Sequence, residues 1–164
     1  MYVYRIMTKK EFERWNNNDI TMGACYTKCS ENSHNYFPKT KYLHFFKNLD
    51  DCLTVLGVLG IDANYLCKFN IDEEILKVFE GKGRYFQNGQ SQNGTVEIKE
   101  FAIPTKLLKR QNFDEYITFN DENEIKFLDG NKHWTQLEKE NIDTCQMIWY
   151  YWIEGRYKYG KENK

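Results

Sequence analysis

Long apolar runs, net charge and proline are all scarce in this 164-residue chain. It has 2 prolines and no low-complexity tract, so little of it is expected to be disordered away from its ends. No stretch is long and apolar enough to read as a membrane span. MYVYRIMTKK is too short an apolar run for a secretory leader and lacks a small-residue cleavage site. A formal net charge of −1 provides no general basic field for nucleic acid, although local basic patches such as Lys106, Lys109 and Arg110 remain. The 5 cysteines are odd in number and scattered, in a chain that needs no staples. These features lead to the expectation of reduced thiols and a cytoplasmic protein. A zinc site at Cys25, Cys29 and His34 would lack a paired C-x-x-C and would need a distant fourth ligand such as Cys52. No metal is therefore assigned.

Aromatic residues are abundant, at 16% of the chain, and favour a strand-rich or mixed fold. The length suits one domain over residues 1–164, with 160–164 frayed. Alternation predicts strands at 2–7, 41–46, 64–71 and 96–103. Residues 116–119 and 125–128 read as a hairpin around the polar turn 120–124. Thr8 and Glu11 form a capping-box pattern before a helix running to Trp15. Asn48 caps a helix carrying Leu49, Cys52, Leu53 and Leu56, which Gly57 or Gly60 can end, and Asp72 caps another over 73–80. Pro104 ends its strand, and Thr105 can cap a turn over 106–109. The pattern turns helical from His133, and Asp143 is a cap for a helix bearing Met147, Ile148, Trp149, Tyr151, Trp152 and Ile153. The aromatic face of that helix either packs on the sheet or meets a protein partner. Residues 19–40 and 81–94 read as loops. The predicted fold is a single α+β domain with a mixed or largely antiparallel sheet and short helices.

Three strands each carry one polar residue in an otherwise apolar row: Arg5 with Val3 and Met7, His44 with Tyr42 and Phe46, and Glu100 with Val96, Ile98 and Ala102. A carboxylate in such a row is costly unless it is paired or hydrogen-bonded. Glu100 is therefore functional, structurally paired, or displaced to solvent by a bulge. If the three rows share a cleft, Arg5 can take a phosphate, His44 a ribose or amide, and Glu100 can orient a hydroxyl or stabilise a developing cation. The alternative is a buried structural Arg5–Glu100 ion pair with His44 in the core. Gly81, Lys82, Gly83, Arg84 and Tyr85 match neither a Walker A nor a dinucleotide GxGxxG motif. They read either as a plain turn or as a mobile loop beside a pocket.

The segments YRIMTKKEFERW, YLHFFKNLDDCLTVL and IKEFAIP, in this order, resemble the ADP-ribosyltransferase-like fold, in particular its small bacterial, DNA-targeting toxin members. The likeness extends to Leu108. It implies a transferase that cleaves nicotinamide from NAD and passes ADP-ribose to a protein or nucleic-acid acceptor. By the same resemblance Arg5 holds NAD, Tyr42, His44 and Phe46 line the nicotinamide pocket, and Glu100 is catalytic. Position 98 is Ile, so no Gln-X-Glu or Glu-X-Glu pair ends at Glu100, which disfavours modification of protein arginine. A non-catalytic nucleotide- or protein-binding module on the same fold, such as a sensor, immunity or interaction protein, is the alternative.

Overall fold

A computed structural model describes residues 1–19, 42–52, 63–86, 94–125, 127 and 134–162, with side chains described as far as Tyr151. Six strands form one antiparallel sheet: β1 (Tyr2–Met7), β2 (Tyr42–Phe46), β3 (Tyr65–Asn70), β4 (Glu80–Phe86), β5 (Thr95–Pro104) and β6 (Phe113–Thr118). Their order across the sheet is β4-β5-β2-β1-β3-β6. The helices are α1 (Lys9–Asn16), α2 (Glu73–Val78) and α3 (Gln136–Glu162), and a helix also begins at Leu49. The α+β class and the antiparallel sheet follow the sequence reading.

Strand alternation gives the sheet two apolar faces, each with its own cover. Val3, Met7, Leu43, Phe45, Cys67, Phe69, Phe101 and Ile103 pack with Phe12 and Trp15 of α1 and Leu76 of α2. Tyr4, Ile6, Phe46, Leu66, Tyr85, Ile98 and Ile117 pack with Ile142, Cys145 and Trp149 of α3 and with Leu49 and Cys52. The aromatic helix thus turns Trp149 inward against the sheet, where its ring stacks on Phe119 at 6.0 Å.

The middle of the sheet differs from its flanks. β1 and β3 register over six pairs, from Tyr2 opposite Asn70 to Met7 opposite Tyr65. β1 and β2 share one registered pair among the described residues, Tyr4 opposite Phe46. The sheet therefore consists of two three-stranded halves, β4-β5-β2 and β1-β3-β6, joined at a narrow seam.

Several local expectations need correction. Residues 80–86, read as a helix end and a loop, form edge strand β4, paired along its length with β5. Its glycines and charges suit a strand with one solvent-facing row and one close-packed row, and such a row lacks the usual apolar signature. The hairpin at 116–119 and 125–128 is not formed among the described residues, because β6 begins at Phe113 and pairs with β3. α3 starts at Gln136, in line with the helical pattern from His133, so Asp143 lies within the helix and does not cap it. Thr135 Oγ1 accepts from the Glu138 amide at 3.1 Å and Glu138 Oε1 from the Thr135 amide at 3.0 Å, a reciprocal capping box. Thr105 lies inside a 3-10 turn, Thr105–Leu107, which has no side-chain cap. The proposed loop at 19–40, with Cys25, Cys29 and His34, lies outside the described residues beyond Asp19, as do Leu53, Leu56, Gly57 and Gly60.

Candidate functional site

Glu100 sits in the middle of β5, between Gly81 of β4 and Phe46 of β2. Alternation turns its side chain to the α3 face with Ile98, where it is 0% exposed. An ionised carboxylate at such a position needs strong partners. The Tyr85 hydroxyl donates a short hydrogen bond to Glu100 Oε2, and His44 Nδ1 lies 3.6 Å from the same oxygen. Three strands, β2, β4 and β5, thus supply one buried polar cluster.

Gly83 makes room for this cluster. Tyr85 pairs with Val96, two positions from Glu100 along that face, so its ring must run back along the strand to reach the carboxylate. The ring passes over Gly83, where an added Cβ would lie 2.5 Å from Tyr85 Cε2 and 2.6 Å from Glu100 Oε1. Phe46 closes the other side, with its ring edge-on to Tyr85 at 6.1 Å. Tyr42, opposite Pro104, continues the row of His44 and Phe46 and is also buried.

Arg5 follows a different course. Its side chain belongs to the row of Val3 and Met7, on the α1 face. There Nε donates to Glu11 Oε1 at 2.8 Å, and Nη2 lies 2.7 Å from that oxygen. Nη1 donates to the His44 carbonyl at 2.9 Å, so the guanidinium bridges the seam where the β1–β2 ladder is shortest. Burial raises the pKa of the Glu11 carboxyl, and the charge and hydrogen bond of Arg5 oppose that rise. The three polar residues therefore do not share one pocket. His44 and Glu100 meet on the α3 face, while Arg5 pairs with Glu11 rather than Glu100 and touches the group through the backbone of His44.

A second polar cluster lies on the α3 face, in the β1-β3-β6 half. Lys68, 1% exposed, donates to Glu138 Oε1 at 2.9 Å, and the Tyr4 hydroxyl donates to Glu138 Oε2 at 2.8 Å. The Lys68 ammonium also lies 4.1 Å from the Tyr2 ring centroid and 5.2 Å from that of Trp134. Burial pushes the Glu138 pKa up, but hydrogen bonds from Lys68, the Thr135 backbone and Tyr4 outweigh it, leaving the carboxyl below its ordinary value.

Lys68 and Glu138 have no role in the sequence reading, while Tyr85 and Gly83 appear there only as part of a plain turn or a mobile loop beside a pocket. Lys68 carried a usable signal, since it is a charge in the apolar row of Leu66. Glu11 was visible only as a capping residue. It does stand at the capping position, and its amide donates to Thr8 Oγ1 at 3.2 Å, but its carboxylate receives Arg5. Among the described residues no group of three or more His, Cys, Asp or Glu side chains could hold a metal ion. No described helix is long and apolar enough to cross a membrane. No family model matches the chain, and neither the curated proteins nor the solved structures include one that is significantly similar to it.

Proposed function

We propose that the chain is an ADP-ribosyltransferase-like enzyme that uses NAD as its substrate, with Glu100 as its catalytic carboxylate. The observation that carries this reading is the Glu100 cluster itself: a buried carboxylate that accepts from Tyr85 beside His44, packed against Gly83, where a side chain would not fit. The order of elements agrees with the resemblance. An Arg-bearing first strand leads into a short helix, an aromatic second strand leads into a helix at Leu49, and Glu100 stands on a late strand.

Breaking the bond between nicotinamide and ribose builds positive charge on the sugar, and a fixed carboxylate lowers the energy of that charge most in a site that excludes water. Glu100 is the group for this role. His44 and the rings of Tyr42 and Phe46 share its face and would line the pocket. Arg5 contributes differently from a direct phosphate ligand, because it holds the His44 backbone at the seam and so fixes the strand that carries the pocket wall.

A non-catalytic nucleotide- or protein-binding module is the second reading, favoured by the engagement of Arg5 with Glu11. Binding is tested by thermal unfolding in millimolar NAD. The proposal requires a rise in Tm for the wild type and a smaller rise for His44→Ala. No rise in the wild type would rule out use of NAD.

A further inference from the structure

We infer that Tyr85 is a positioning residue for Glu100, an inference that rests on the reading of Glu100 as the catalytic carboxylate. Three observations support it. The Tyr85 hydroxyl donates to Glu100 Oε2, and His44 Nδ1 lies 3.6 Å from the same oxygen. The reach of Tyr85 depends on Gly83, since a side chain there would collide with both the ring and the carboxylate. The ring is itself buried and wedged against Phe46, so its hydroxyl is presented from a fixed platform.

The consequence is geometric. A hydrogen bond to one oxygen restricts how far a carboxylate turns about its last bond, and a misplacement of about 1 Å at a reacting centre costs on the order of a hundredfold in rate. The hydroxyl helps to fix Oε2, with His44 Nδ1 3.6 Å from the same oxygen. Without the hydroxyl, one of the contacts that fix Oε2 is gone, and the orientation of the carboxylate toward the substrate is less sharply held. Tyr85 thus acts through Glu100 and need not contact the reacting atoms. β4, an edge strand, has a role in setting the site as well as in closing the sheet.

The test is Tyr85→Phe, which keeps the ring and removes only the hydroxyl, read by steady-state nicotinamide release together with Tm. Positioning predicts a kcat lower by roughly tenfold to a hundredfold, with KM for NAD and Tm close to wild type. An unchanged kcat, or a loss of activity that only tracks a loss of folded protein, would overturn the inference. Should Tyr85→Phe fail to fold, Tyr85→Met gives the same reading, because its flexible apolar chain can fill the space of the ring without offering a hydroxyl. A lower kcat at constant KM there supports positioning, and an unchanged kcat overturns it. A wild type that releases no nicotinamide overturns the catalytic reading and this inference with it. An active wild type with an equally active Tyr85→Phe overturns this inference alone.

Discussion

Arg5 donates to Glu11 on one side and to the backbone carbonyl of His44 on the other, spanning the seam where β1 and β2 share a single registered pair among the described residues. A buried charge pair that loses one member leaves the other uncompensated, which typically costs about 3–5 kcal/mol. Arg5→Ala should therefore lower stability on that scale in urea unfolding. Arg5→Met combined with Glu11→Leu should recover a large part of the loss. If the double variant is as unstable as Arg5→Ala, Glu11 is not the main penalty and the bond to His44 carries the effect.

Gly83 is the second sensitive position. Its φ lies outside the left-handed region, so the demand is for space and not for an unusual backbone. Overpacking of this kind costs about 1–3 kcal/mol. Gly83→Ala should be destabilised by that amount, whereas Gly81→Ala, with nothing within 4 Å of its Cβ, should lie within about 0.5 kcal/mol of wild type. Chemical denaturation of the two variants side by side reads the contrast.

The pH dependence follows from Glu138. Its folded pKa is depressed below its ordinary value, so its ionised form favours the folded state. That contribution is fully present above the unfolded carboxyl pKa and is lost as pH falls through the folded one. Lys68→Met removes the first of the hydrogen bonds that lower it and should flatten the fall in Tm between about pH 5 and pH 3. An acid limb as steep in Lys68→Met as in the wild type would contradict this assignment.

Cys52, Cys67 and Cys145 are buried free thiols, and burial raises all three pKa values, that of Cys145 to about 12. The thiolate is the reactive form, so these groups should be inert in the folded protein. In a Cys25→Ser/Cys29→Ser variant, a thiol reagent at pH 8 should label almost nothing before unfolding and all three thiols in denaturant. Rapid labelling under native conditions would show that one of the three is exposed.

Much of the sheet was legible in the sequence, because alternation is a local property. Arg5, His44 and Glu100 each stood out as a polar residue in an apolar row, and His44 and Glu100 do share a face and lie beside one another. Their partners were not legible. Glu11 read as a cap, and its carboxylate is drawn to Arg5 only when α1 folds back on β1. Tyr85 and Gly83 lay in a stretch read as a loop because glycine and charge mask the period of an edge strand. The helical pattern from His133 matches the start of α3, but Asp143 lies inside the helix, and Thr135 and Glu138 form the capping box. The pairing of β6 with β3 depends on contacts far apart in sequence, which no local pattern carries.

The central claim is that Glu100 acts in chemistry and not only in structure, and release of nicotinamide from NAD tests it most directly. Glu100→Gln keeps the shape of the side chain and its acceptor for Tyr85 but replaces the carboxyl group by an amide. The account predicts that wild type releases nicotinamide, and that Glu100→Gln keeps the NAD-dependent rise in Tm while its kcat falls by about a hundredfold or more. Release by Glu100→Gln at the wild-type rate would contradict it.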